Sequence, residues 1–221
     1  MKMVNRLGRL FLNAGFYILL FISCSKTDAH TDPVGKNPLI SDSIAIQILF
    51  IGNSLTYTND LPALLTNYAK SMDVQIRTST IAFPNYALLD HLAESNIISA
   101  LSKTKFKYII VQQGPSSQAE GRAWLIEGAT KLKDLADKNG ATLCIFMVWP
   151  AYANYYNFDG VIKNHTDAAL LTNSILCPVG TAWKEYIDKT NDLSYYGPDL
   201  FHPSLKGSQV AAEIIFKSLF K

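Results

Sequence analysis

Ile46-Gln47-Ile48-Leu49-Phe50-Ile51-Gly52-Asn53-Ser54-Leu55-Thr56 is the stretch on which the reading of this chain turns. A near-continuous apolar run of this length suits a strand covered on both faces, as in a parallel α/β sheet. Gly52 lets the backbone leave the strand sharply, because it lacks a Cβ and tolerates positive φ. Asn53 and Ser54 can hydrogen-bond the turn with their own side chains. Ser54 is thereby expected at the carboxyl end of a strand, the edge where open α/β sheets place their sites.

A serine in that position is very often only the cap of the next helix. A second stretch far downstream, Asp199-Leu200-Phe201-His202-Pro203-Ser204, shifts the balance. In a single helical turn, positions three apart project to the same side, so Asp199 could orient the ring of His202. The two stretches then supply a nucleophile, a base and an orienting carboxylate.

With these two blocks the sequence resembles the SGNH, or GDSL-type, hydrolase superfamily. The first block, normally Gly-Asp-Ser-Leu, reads Gly52-Asn53-Ser54-Leu55, and the last, Asp-x-x-His, reads Asp199-Leu200-Phe201-His202. The Asn variant resembles a bacterial subgroup in which Gly-Asn-Ser is followed by Leu or Phe and Thr. The resemblance runs from about Ile46 to the C-terminus. It implies a three-layer α/β/α, flavodoxin-like fold, a Ser-His-Asp triad and mainly esterase activity. It also implies an oxyanion hole from the Ser54 backbone N–H, a second-block Gly N–H and a third-block Asn side chain. By order after the second strand, the Gly position falls at Asn85, whose backbone N–H can serve and which tolerates left-handed φ. The third-block Asn corresponds to Gln112 or Gln113, with Gln112 the first choice; ordinary surface glutamines are the alternative.

Periodicity along the rest of the chain alternates strand and helix. Asp60 caps a helix beginning near Leu61-Pro62, and residues 74–81 read as a second strand. A helix starts at about Ala87, strands cover 108–111 and 142–149, and a helix over 120–138 is stopped by Asn139-Gly140. Helices near 161–172 and 182–189 flank a short fifth strand at 175–179, and Ser204 caps the last helix. This βαβα order predicts one doubly wound parallel sheet of about five strands. With 48% hydrophobic residues among 221, a single α/β domain over 44–221 has an ample core.

The first 23 residues read as a secretory signal, with Lys2, Arg6 and Arg9 ahead of an apolar core ending at Ser23. Phe21-Ile22-Ser23-Cys24 resembles a bacterial lipobox, with Cys24 as the lipidated first mature residue. Phe21 stands where Leu is usual, and cleavage without lipidation is the alternative. Residues 24–43 read as a flexible tether, which makes an exported lipoprotein, anchored at the outer membrane or cell surface with the periplasmic side as a second location. The whole chain has 20 Lys+Arg and 18 Asp+Glu, and the signal holds three basic and no acidic side chains; the remainder is near neutral. Nothing predicts a basic groove for nucleic acid.

Cys144 and Cys177 sit in apolar runs and read as buried thiols, with a disulfide the alternative in an exported protein. His30, His91 and His165 read as structural or solvated, no metal-ligand spacing occurs, and no cofactor is called for. The aromatic stretch Trp149 to Phe158 follows the fourth strand; it either overhangs the site, where aromatic faces suit sugar rings, or packs a long loop against the domain. The reading is a serine esterase that removes acyl groups, foremost acetyl, from carbohydrate. A lipase, thioesterase or acyltransferase with the same residues, or a noncatalytic glycan-binding protein, are the alternatives.

Overall fold

The computed structural model describes residues 45–221. The expected signal, Cys24, the tether and His30 lie outside the described residues. Five parallel strands, β1 (Ile46–Gly52), β2 (Ile76–Ala82), β3 (Tyr108–Val111), β4 (Thr142–Phe146) and β5 (Ile175–Cys177), form one sheet in the order β2-β1-β3-β4-β5. All four pairings are parallel, so every connection crosses over the sheet with helix.

Period-two alternation divides each strand between two cores. Ile48, Phe50, Ile110, Cys144 and Phe146 pack into one layer with α2 (Leu61–Ser71), α7 (Val179–Thr190) and α8 (Leu205–Leu219). Leu49, Ile51, Ile109, Val111, Leu143 and Ile145 pack into the other, against α3 (Leu88–Leu92), α4 (Asn96–Lys103) and α5 (Ala119–Asn139). The helix α6 (Phe158–Leu171) contributes Phe158 to the first core, with Ile162 packed against it, and Ala168 and Ala169 to the second. The continuous apolar run of β1 is thus explained by burial on both faces. Ile48, Leu49, Phe50 and Ile51 are fully buried, each stabilising the fold by roughly 1.5–3 kcal/mol. Ser54, which opens the one-turn helix α1 (Ser54–Tyr57), is therefore carried on a rigid support.

Helix signals operate as the residues dictate. Asp60 accepts from the Ala63 N–H at the start of α2, Ser204 accepts from Gly207 N–H at the start of α8, and Gly140 ends α5 at φ +81°. Three expectations change. The helix expected from Ala87 is two short helices, broken at residues 93–95. Strand β4 stops at Phe146; Met147 instead donates its N–H to Cys177 O at 3.1 Å, and Met147 O accepts from Gly180 N–H at 3.1 Å. Residues 199–202 form no helical turn: Leu200 takes φ +56°, which no right-handed helix allows.

Candidate active site

Ser54 lies just past the carboxyl end of β1, where Asn53 is extended and caps α1 by accepting the Leu55 N–H at 3.1 Å. Its Oγ is 2.9 Å from His202 Nε2, and His202 Nδ1 is 2.6 Å from Asp199 Oδ2. The other Asp199 oxygen accepts the backbone N–H groups of Phe201 at 3.0 Å and His202 at 2.9 Å. One carboxylate therefore shapes the turn and orients the ring, which is why the chain needs no helix here. Hydrogen bonding to His202 is the main reason the Asp199 carboxyl sits below its usual range, with the two N–H groups adding to it. As pH falls, Asp199 stays ionised longer than an ordinary carboxyl.

The 197–203 loop is held from several sides. Gly197 N–H donates to His202 O at 2.7 Å, Trp149 Nε1–H to Phe201 O at 3.0 Å, and Tyr152 N–H to Leu200 O at 2.9 Å. Asn59, at φ +57°, donates its amide to Pro203 O at 3.0 Å and to Ser208 Oγ at 3.0 Å. Asn59 lies two residues past the end of α1, so it ties the serine segment to the histidine segment. No sequence pattern marks it, because its partners lie about 145 residues away.

An open cleft of about 350 Å³ begins at Ser54, lined also by Asn53, Asn85, Tyr86, Gln113, Trp124 and Phe201. No lining side chain is charged.

No family model matches the chain, and no curated protein matches it at a significant level. Solved structures do. A protein from Slackia heliotrinireducens assigned as an SGNH hydrolase superposes with a TM-score of 0.64 at 23% identity, covering 79% of this chain and 99% of that one. A single-residue variant of Axe2, an acetyl-xylooligosaccharide esterase from Geobacillus stearothermophilus, gives 0.61 at 16% identity over 80% and 94%. A lipase/acylhydrolase from Enterococcus faecalis gives 0.64 at 14% identity over 79% and 95%. The chain has the SGNH hydrolase fold.

Within that SGNH fold the remaining expected site residues separate. Asn85, at φ +63°, lines the cleft, and neither its N–H nor that of Ser54 finds an acceptor among the described residues. Asn53 explains the Asn in the first block: its Nδ2 donates to Tyr86 O at 3.1 Å, clasping the β2–α3 loop to the serine turn. An Asp could accept from Leu55 but could not make that second bond. His91 reinforces the same corner, with Nε2 2.8 Å from Gly52 O and its ring against Phe83 and Tyr86. Burial lowers its pKa, and donation to a carbonyl assigns the proton to Nε2. His165 is likewise buried on α6, with burial pushing it down to about 4.

Gln112 departs from its expected place. Its side chain is 1% exposed and turned under the serine turn, where Oε1 accepts Asn53 N–H at 2.9 Å and Thr56 Oγ–H at 2.8 Å. Gly52 makes the room: a Cβ there would lie 2.5 Å from Gln112 Oε1 and 2.3 Å from Thr56 Oγ1. A strand-end side chain with a glycine opposite is drawn inward to satisfy the buried N–H of the turn. Gln113 does line the cleft, but its amide donates to Ser116 Oγ at 3.0 Å and Gly121 O at 3.3 Å. Gln112→Ala is accordingly expected to act on stability. It strands two donors, costing about 2–4 kcal/mol, or a melting temperature lower by roughly 5–12 °C. Thermal denaturation checks this. A normal melt with turnover reduced about 10²–10³-fold would instead place the amide on the substrate.

Of the two readings of the aromatic stretch 149–158, the structure takes the packing one. Trp149 is 1% exposed and stacks on Trp183 with ring centres 3.5 Å apart. With Tyr152, it buttresses the Asp199–His202 loop from behind, and none of its aromatics lines the cleft. The rings that do are Tyr86, Trp124 and Phe201. Trp124 sits in the predicted helix, at the margin of the Leu125, Gly128, Ala129, Leu132, Ala136 stripe; an aromatic just off a buried stripe was the signal available.

Proposed function

We propose that the protein is a serine esterase that removes acyl groups, acetyl foremost, from carbohydrate, using Ser54, His202 and Asp199. The observation that carries the reading is the unbroken chain of contacts from Ser54 Oγ through His202 to Asp199, opening on a cleft.

His202 Nε2 takes the Ser54 proton as Oγ bonds to the ester carbonyl carbon. Asp199 holds the Nδ1–H tautomer and offsets the charge that develops on the ring. The carbonyl oxygen becomes an oxyanion, for which the unspent N–H groups of Ser54 and Asn85 are the donors at hand. Collapse breaks the bond to the alcohol oxygen, which takes the proton from His202 Nε2. Water then enters, gives its proton to His202 and attacks the acyl-enzyme, releasing the acid and restoring Ser54.

The carbohydrate part of the reading is supported by the uncharged, aromatic cleft and by the likeness to an acetyl-xylooligosaccharide esterase. Acetate release across a panel of acetylated glycans and aryl esters tests it. Acetate from at least one acetylated glycan, with labelling of Ser54 by a fluorophosphonate, is the expected result. A protein that binds glycan but neither turns over any ester nor labels would be a noncatalytic binder.

Export and lipidation at Cys24 are proposed from the basic, apolar and lipobox-like order of residues 2–24. Cys24→Ala should abolish incorporation of a fatty-acid probe and leave the precursor unprocessed. Equal labelling of both forms would exclude a lipid on Cys24.

A further inference from the structure

Three tryptophans occur in the chain, and they divide sharply. Trp149 and Trp183 are buried and stacked on each other. Trp124 is 47% exposed, on the wall of the cleft that contains Ser54, and its ring packs on no other aromatic among the described residues. Leaving an indole in water forgoes a large burial gain, so its placement beside the nucleophile calls for a ligand surface to cover it.

The rest of the lining narrows the chemistry of that surface. No charged side chain is present to pair with a phosphate, a carboxylate or an ammonium group. No Leu, Ile, Val or Met lines the cleft either, whereas a long alkyl chain is held by such side chains. What remains is aromatic surface interleaved with amides and hydroxyls, including Asn85, whose side-chain amide is exposed and makes no hydrogen bond among the described residues. A pyranose matches this pattern: its C–H face is apolar and its edge carries neutral hydroxyls.

We propose that Trp124 is the sugar platform of the cleft and the residue that selects a neutral acylated pyranose over a long-chain acyl ester. The inference rests on the esterase reading above and adds the residue that recognises the alcohol part of the substrate. The indole covers the C–H face of the ring, and the Asn85 amide reaches its hydroxyl edge. Stacking acts before and during the reaction alike, so it lowers KM and leaves kcat nearly unchanged.

The test compares wild type, Trp124→Phe and Trp124→Ala on partially acetylated xylo-oligosaccharides and on ethyl acetate, which is too small to need the platform. For Trp124→Ala, KM for the sugar ester should rise at least tenfold with kcat nearly unchanged. Trp124→Phe should recover most of that loss, and ethyl acetate kinetics should be the same in all three. Equal loss on both esters, or unchanged sugar-ester kinetics, overturns the platform while leaving the esterase reading intact. Turnover of ethyl acetate by wild type with none of any sugar ester overturns the platform and the carbohydrate reading together.

A second measurement does not depend on turnover. Because Trp124 is the exposed indole of the three, saturating deacetylated xylo-oligosaccharide should reduce acrylamide quenching of wild-type fluorescence and leave Trp124→Phe unaffected. Unchanged quenching in wild type overturns the platform even if the enzyme proves active. Protection in an inactive protein keeps the platform and removes the esterase reading.

Discussion

Ser54→Ala is expected to lower kcat by about 10⁴–10⁶-fold while the melting temperature stays within about 2 °C of wild type. In the proposed mechanism the Ser54 hydroxyl forms the bond to the acyl carbon; the other serine lining the cleft, Ser116, is hydrogen-bonded to Gln113 and Gly114 O, whereas Ser54 Oγ meets His202. Its Oγ bonds to a half-exposed histidine and not to a buried group, so its removal strands nothing in the core. His202→Ala should match it, because the hydroxyl is a weak nucleophile without a base. The double variant should be no worse than either single one, since the two act as a unit. Steady-state kinetics on an aryl acetate and fluorophosphonate labelling read this directly. Wild-type turnover by Ser54→Ala would remove the serine mechanism, and additive losses would show that the two residues act separately.

Asp199→Asn is expected to cost about 10⁴-fold in kcat, and the hydrogen bonds give the reason. Oδ1 accepts two backbone N–H groups, from Phe201 and His202, so the oxygen of an Asn amide must occupy that position. Its NH₂ then faces His202 Nδ1, 2.6 Å away in the native pair. An NH₂ there requires a bare Nδ1, which moves the imidazole proton to Nε2, the atom that receives the proton of Ser54 in the proposed mechanism. Asp199→Asn should therefore keep the turn and lose the tautomer. Asp199→Ala loses the turn bonds as well and should melt lower. The native pH profile adds a check. Hydrogen bonding holds the Asp199 carboxyl below its usual range, so it remains charged as the solution is acidified. An acidic loss of turnover should therefore not report protonation of Asp199. Near-native turnover in Asp199→Asn would mean that the ring is oriented by something other than this carboxylate.

How much of this was legible beforehand depended on the range of the forces involved. Strand and helix identities were readable because burial repeats at two or 3.6 residues, and β1 was plain from its unbroken apolar run. Helix starts at Asp60 and Ser204 and the stop at Gly140 were readable because caps are made within four residues. The proximity of Asp199 and His202 was readable for the same reason, although the turn that achieves it is held by Asx-type bonds and a left-handed Leu200.

Local spacing could not set the facing of side chains at the sheet edge. Gln112 and Gln113 are adjacent at the end of β3, and which one enters the cleft depends on what lies opposite. A missing Cβ at Gly52 and the orphan N–H of Asn53 draw Gln112 inward, while Gln113 faces the β2–α3 loop and α5. The aromatic run after β4 was visible as a cluster, yet its role depended on a loop about fifty residues later. Once Trp149 donates to Phe201 O and stacks on Trp183, that cluster becomes the support of the histidine loop. The open wall of the cleft passes to Trp124 on α5. Residues near in sequence revealed their chemistry through spacing; the choice among equivalent neighbours was made by contacts across the sheet, which no local pattern encodes.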